Sequence, residues 1–375
     1  MTTSAAPALR SSPSAAPEAQ STARMDDSRA AGTWLAAFAV MVFIMILVGG
    51  ATRLTESGLS ITEWKPVAGV IPPLSDAQWE GEFALYREIP QYRELNAGMS
   101  LAAFKRIYLW EYGHRLAARL VGLAFALPLA WFAIRRRLPP YALRRSFILL
   151  AMLLAQAAMG WWMVSSGLSA RTEVSQYRLA AHLLLAFALL GLTVWTAADL
   201  LEGRRRTRTL ESGRDPGAVR RTSQSVARAW MLPALAALVM VASGSGALVA
   251  GLRAGRIYNT FPLMGGSLVP TGYSQLVPAW LNVFENPAAV QFNHRVVAVA
   301  TFVAALAAWA LLRRASDARL VRRMHLVAGA AVLQLVLGIT TLLLAVPIPL
   351  GVAHQGGAAL LLCAVLLAWH AEVTS

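Results

Sequence analysis

Residues 34–52 read WLAAFAVMVFIMILVGGAT, a run without a single charged side chain. A helix of about 20 mainly apolar residues crosses the hydrocarbon core of a bilayer, so this run predicts a transmembrane helix. Seven more predominantly apolar runs follow, near residues 113–134, 146–166, 179–200, 229–251, 290–312, 325–346 and 351–371. Hydrophobic residues make up 57% of the chain, charged residues 14%, and the mean hydropathy is +0.52. We therefore predict an all-α integral membrane protein with eight transmembrane helices.

The positive charges indicate the orientation of these helices. The formal net charge is +15, but the arginines cluster in the loops after the second, fourth and sixth spans, which argues against a nucleic-acid partner. Loops rich in Lys and Arg stay on the cytoplasmic side of a lipid membrane. We expect cytoplasmic N- and C-termini and an outward-facing first loop, 53–112. A bacterial inner membrane is favoured over a mitochondrial one, because Asp26 and Asp27 weaken a transit-peptide interpretation.

The chain also contains an internal repeat. Gly113-His-Arg-Leu116 resembles Asn293-His-Arg-Val296, and Ala180-Ala-His-Leu183 resembles Val352-Ala-His-Gln355. This similarity predicts two pseudo-symmetric four-helix bundles. The predicted segments are a disordered N-terminal tail (1–33), a first half (34–200), a basic cytoplasmic linker (201–228) and a second half (229–371).

Four of the six histidines lie in equivalent positions of the repeat. His114, His182, His294 and His354 each lie near the outer end of an even-numbered span, two in each half. Two imidazoles that face each other across a bundle form a bis-histidine site for heme iron. Such a site needs no thiolate, and the chain has only one cysteine.

Less specific interpretations of these histidines remain open. A single histidine in a span can simply hydrogen-bond a neighbouring helix. A structural zinc ion is a further alternative, although it usually needs three or four ligands and each half offers two. His325 and His370 have no counterparts in the other half, and we expect both to be surface residues.

Glu111 distinguishes the two halves. It precedes His114 by three residues, so a helix that includes both presents them on nearly the same face. The second half has Val290 or Gln291 at this place and no acid. The difference is expected if one half performs chemistry and the other carries electrons. The alternative is that Glu111 is an ordinary solvated acid of the first loop.

Four arginines also occupy paired positions near the predicted outer surface. Their guanidinium groups could contact heme propionates or extend to lipid headgroups. They are Arg53, Arg115, Arg253 and Arg295.

Several segments together resemble the heme A synthase family, in its cysteine-poor proteobacterial and mitochondrial form. The resemblance covers residues 34–371, and its most specific part lies in and after the first span. The segments that carry it are Gly49-Gly-Ala-Thr-Arg-Leu-Thr-Glu-Ser-Gly-Leu-Ser60, Glu63-Trp-Lys-Pro66, Glu111-Tyr-Gly-His-Arg115, Phe292-Asn-His-Arg295 and His354-Gln355.

The resemblance implies an activity and roles for the site residues. Members of the family oxidise the C8 methyl group of heme O to the formyl group of heme A for cytochrome c oxidase biogenesis. In this sequence His294 and His354 would ligate a heme b cofactor, while His114 and His182 would flank the iron of the substrate heme O, with Glu111 in catalysis. Heme O synthase and cytochrome c oxidase assembly factors are the implied partners. The electron donor is unidentified, and a homo-oligomer is compatible with the sequence.

Two other classes of protein could use the same features. A di-heme b-type membrane electron carrier would need the same four histidines. A transporter could use the repeat, but the spans lack the paired Gly/Pro breaks that mark a substrate site at the midplane.

Overall fold

The computed structural model describes residues 16–65, 68–169, 171–202 and 223–374, and these residues form helices and no strand. Eight of the helices are long and apolar enough to cross a membrane. They are α1 (Ala16–Leu54), α2 (Leu101–Ile134), α3 (Pro140–Ser165), α4 (Gln176–Glu202), α5 (Ser223–Gly251), α6 (Pro287–Leu312), α7 (Ala318–Leu343) and α8 (Ile348–Thr374). The prediction of an all-α, multi-pass membrane protein is confirmed.

The contacts between helices follow the same order in the two halves. In the first half α1 contacts α2 and α4, and α3 contacts α4; in the second half α5 contacts α6 and α8, and α7 contacts α8. The halves meet through α1, α4, α5 and α8. Small side chains allow close approach at this interface, as at Gly191 of α4, where an added β-carbon would lie 2.9 Å from Leu366 of α8. This arrangement is compatible with two pseudo-symmetric four-helix bundles.

The predicted segment boundaries need two corrections. The structure contradicts the disordered tail over residues 16–33, because α1 begins at Ala16, Ala31 is fully buried and Asp27 pairs with Arg137 at 3.5 Å. Residues 1–15 lie outside the described part. Of the predicted linker, 201–202 belong to α4 and 223–228 to α5, and 203–222 lie outside the described residues.

Helix α2 begins twelve residues before the predicted span. Ser100 caps it by accepting a hydrogen bond from the amide of Ala103. The extra turns carry Phe104 and Tyr108, whose rings pack on a short helix of the first loop, Asp76–Arg87. The ring of Phe104 stacks on Phe83 of that helix with centroids 4.8 Å apart. The first loop therefore forms an aromatic layer over the end of the first half that carries His114.

Candidate functional site

The second half brings two of the predicted histidines together. The rings of His294 on α6 and His354 on α8 have centroids 6.5 Å apart and planes at 83°. Metal–imidazole bonds are about 2 Å long and each ring centre lies roughly 1 Å beyond its nitrogen, so two rings that share one metal lie about 6 Å apart. The observed separation therefore fits a metal held between the rings.

A serine on α5 sets the orientation of His294. The Ser245 hydroxyl donates to the carbonyl oxygen of Ala242 at 2.8 Å, and its oxygen lies 2.9 Å from Nδ1 of His294. In the tautomer in which the hydroxyl proton serves Ala242, Nδ1 of the imidazole donates to the serine oxygen. The neutral ring then has its lone pair on Nε2, as an iron ligand requires.

A glycine on the preceding odd-numbered helix faces each of the four histidines. A β-carbon added at Gly338 would lie 2.8 Å from Cε1 of His354, and one at Gly246 would lie 3.1 Å from Cε1 of His294. In the first half the corresponding distances are 3.3 Å from Gly160 to Cε1 of His182 and 3.8 Å from Gly49 to Nε2 of His114. Each imidazole thus faces a glycine of a neighbouring helix, with Cε1 nearest in three cases and Nε2 nearest in the fourth. Of these glycines, Gly49 lies in the segment 49–60 quoted above, and nothing in that sequence indicated a contact with a histidine.

The first half holds its histidines differently. The side-chain amide of Gln156 on α3 donates to Nε2 of His182 at 3.2 Å and to the His182 carbonyl oxygen at 3.1 Å. One potential ligand nitrogen of His182 is therefore engaged by a protein hydrogen bond. By contrast, Nε2 of His294 has no such partner among the described residues.

Glu111 is buried, so the alternative of a solvated loop acid is wrong. Only 2% of the residue is exposed. Its Oε2 accepts from the Ser60 hydroxyl at 2.7 Å and the Ile61 amide at 2.9 Å, and its Oε1 accepts from Nε and Nη2 of Arg115 at 3.1 and 2.7 Å. Gln291 occupies the equivalent place in the second half, where its amide donates to the Tyr258 carbonyl. A fully hydrogen-bonded carboxyl group in the first half thus corresponds to an amide in the second half.

The paired arginines all have partners within the protein. Arg115 and Arg295 play matching roles, because each donates to two carbonyl oxygens of the loop that follows the first helix of its half. Arg53 and Arg253 both pair with Glu173, and Arg53 also donates to the Ala250 carbonyl at 3.0 Å. These last two arginines tie the two halves together, so extension to lipid headgroups does not describe them.

The two remaining histidines differ from each other. His325 is exposed, as predicted. The prediction for His370 is wrong, because it is only 1% exposed and its Nε2 lies 3.0 Å from a carboxylate oxygen of Asp199 on α4. Asp199 also pairs with Arg145 of α3 at 2.5 Å. A carboxylate inside a span needs such partners, and Asp199 was the signal in the sequence that could have identified them.

The zinc alternative finds no support in the described part of the chain. No three His, Cys, Asp or Glu residues there gather closely enough to hold a metal ion. Each candidate site offers two histidines, the number of axial positions on a heme iron.

The fold and these sites together define a class of protein. It is a multi-pass helical membrane protein that carries a pair of inward histidines in each half of a repeat. The model of the COX15-CtaA family, described as cytochrome oxidase assembly protein, matches residues 32–366. The chain belongs to that family.

Similar relatives cover nearly the whole chain, and each is named heme A synthase. The protein of Parvibaculum lavamentivorans (strain DS-1) is 47% identical over 337 residues, which cover 90% of this chain and 92% of the relative. The protein of Caulobacter sp. (strain K31) is 47% identical over 352 residues, with coverages of 92% and 97%. The protein of Rhodopseudomonas palustris (strain BisB5) is 49% identical over 350 residues, with coverages of 89% and 88%.

Proposed function

We propose that this chain is a heme A synthase, an oxidoreductase that converts the C8 methyl group of heme O into the formyl group of heme A. The difference between the two equivalent histidine sites carries the proposal. Both sites have two histidines, but only the first has a buried carboxylate, Glu111, three residues from a histidine. The names of the relatives support the choice of substrate.

The second half is the proposed site of a heme b cofactor. His294 and His354 would be its axial ligands, and the ring separation and the hydrogen bond to Ser245 fit that role. When bound there, heme b supplies one-electron transfer. Glycine contacts keep both imidazoles against the helices, which limits reorientation of the ligands.

The first half is the proposed substrate site. His114 and His182 would flank the iron of heme O, and His182 would exchange its hydrogen bond with Gln156 for that contact. An exchangeable hydrogen bond suits a substrate that binds and leaves, because the imidazole keeps a partner in both states.

Glu111 is the proposed catalytic acid–base group near the oxidised carbon. The four donors on its two oxygens fix the position of the carboxylate relative to His114. A proton taken by either oxygen would replace one of these hydrogen bonds. Ser60 is the simplest donor to yield, since its hydroxyl can rotate, whereas the Ile61 amide and the Arg115 guanidinium are fixed by their own surroundings.

The proposed setting is a bacterial inner membrane with both termini in the cytoplasm. Heme O would come from a heme O synthase in the same membrane, and heme A would pass to cytochrome c oxidase assembly factors. The histidine ends of the even-numbered helices would then lie in the outer leaflet.

Chromatography of the hemes that copurify with the full-length protein tests this function. The protein is expressed in cells that make heme O, and its hemes are extracted and separated. A synthase is expected to contain heme b together with heme O or heme A. A protein that contains only heme b would instead be the di-heme electron carrier, and the proposal would be wrong.

A further inference from the structure

One pair of neighbouring helices is packed differently in the two halves. Helices α6 and α7 pack closely against each other, whereas α2 and α3 make few contacts. The connections do not explain this difference, because residues 135–139 join α2 to α3 and an equally short segment, 313–317, joins α6 to α7. Because the short connection holds α2 and α3 together at one end, their few contacts imply that the helices diverge toward the end that carries His114 and Gly160. We call the boundary between them the α2–α3 seam.

Part of the first loop crosses this seam. We call its described residues, 64–65 and 68–70, the strap. The strap is fastened to α2, since Nη2 of Arg119 donates to the Lys65 carbonyl at 2.9 Å and the Tyr112 hydroxyl donates to the Val70 carbonyl at 2.5 Å. It is fastened to α3 by a stack of Trp64 on Trp161, with ring centroids 5.8 Å apart and planes at 14°.

The strap lies at the level of the proposed substrate site. On α3, Trp161 directly follows Gly160, the glycine that faces His182. On α2, Tyr112 precedes His114 by two residues. Within the described residues the strap is joined to α3 by an apolar ring stack alone, and Trp64 remains 53% exposed. Separation of the two rings would thus break no hydrogen bond.

We propose that the α2–α3 seam is the lateral passage through which the isoprenoid chain of the substrate heme enters from the bilayer, with Trp64 and Trp161 as its gate. This inference rests on the proposed function. An isoprenoid chain is apolar and stays in the hydrocarbon core, so a heme that carries one reaches a site between helices sideways. A resident heme b lacks that chain and needs no passage, which matches the close packing of α6 against α7.

A reversible cross-link between the strap and α3 tests the passage. Trp64 and Trp161 are both replaced by cysteine in a full-length protein that also carries Cys363→Ala, and the pair is joined by a short cleavable thiol cross-linker. The protein is reconstituted in lipid nanodiscs, and heme O uptake is followed by absorbance. We expect a cross-link made before loading to slow heme O uptake at least tenfold, and reduction of the linker to restore it.

The controls separate this proposal from the proposed function. The single variants Trp64→Cys and Trp161→Cys, treated with the same reagent, should take up heme O at the uncross-linked rate. Unchanged uptake by a protein whose cross-link is verified by mass spectrometry would overturn the passage alone. Failure of the uncross-linked protein to bind any heme O would overturn the proposed function as well.

Loss of heme b from the double-cysteine protein would indicate that it does not fold. A milder variant keeps the inference testable in that case. Trp64→Ala removes only the ring stack. We expect it to retain heme b and to release bound heme O several-fold faster than the unmodified protein. An unchanged release rate would contradict the gate.

Discussion

Gly338→Ala is the most informative single change at the proposed heme b site. The new β-carbon would lie 2.8 Å from Cε1 of His354, whereas carbon atoms in contact normally lie about 3.5 Å or more apart. The ring must move away by roughly half an ångström or more, and overpacking of this kind costs about 1–3 kcal/mol. Alanine favours a helix over glycine, so the substitution should not unfold α7 itself.

The expected result is weaker retention of heme b. If half of the upper cost of about 3 kcal/mol falls on the ligand geometry, heme b affinity drops about tenfold, since about 1.4 kcal/mol corresponds to a factor of ten. The assay is heme b content per protein after purification, together with the low-spin absorbance spectrum. Wild-type heme O binding in the first half should persist, because the atoms nearest to a β-carbon at Gly338 all belong to His354 of the second site.

The matched control is Gly329→Ala on the same helix. A β-carbon at Gly329 meets no protein atom within 4 Å, so this variant changes α7 identically without touching His354. Full heme b content is expected for it. Equal heme b content in the two variants would refute the assignment of His354 as an axial ligand held by its glycine contact.

Three further predictions concern catalysis, stability and topology. Glu111→Gln should keep heme b and still bind heme O, but it should lower heme A formation about a hundredfold, the usual contribution of an acid–base group. Near-normal heme A at matched protein level would contradict this role, and so would an equal loss in the exposed control Glu94→Gln. Asp199→Asn breaks a buried ion pair, a change that costs about 3–5 kcal/mol. We therefore expect a clearly lower unfolding temperature in detergent. An unchanged unfolding temperature would show that the pairing of Asp199 with Arg145 and His370 adds no stability. The topology is tested in a protein without Cys363. An impermeant thiol reagent added outside should label a cysteine placed at exposed Ser75 and not one placed at Ser316. The reverse result would show that the helices cross the membrane in the opposite orientation.

The eight spans and the four repeat histidines could be predicted from the sequence for simple physical reasons. A segment must be long and apolar to cross the hydrocarbon core, so each span is visible as a continuous run. Imidazoles inside such runs are uncommon and face the interior of a bundle. The repeat then relates His114 to His294 and His182 to His354 without any knowledge of the fold.

The contacts between helices could not be predicted in the same way. Which glycine faces which histidine depends on the rotation of two helices about their axes, and sequence spacing within one helix does not specify it. The burial of His370 depends similarly on α4, since its partner Asp199 lies 171 positions away. Sequence periodicity describes one helix at a time, whereas these contacts belong to pairs of helices.

The early start of α2 has a different cause. The prediction took the apolar run as the helix, but Phe104 and Tyr108 extend it outside that run by packing on the first loop. Their spacing of four residues lies on one helix face and is a local signal that the helix begins earlier. A span predicted from hydropathy therefore marks the membrane-embedded part of a helix and not its ends.

Heme analysis in a host that makes heme O but no heme A tests the central claim most directly. The full-length chain is expressed there, its presence in the membrane is verified, and total membrane hemes are extracted and separated. We predict that heme A appears with the wild-type chain and is absent with His294→Ala. Membranes that contain the wild-type protein with bound heme b, yet only heme O and heme b in total, would contradict the account.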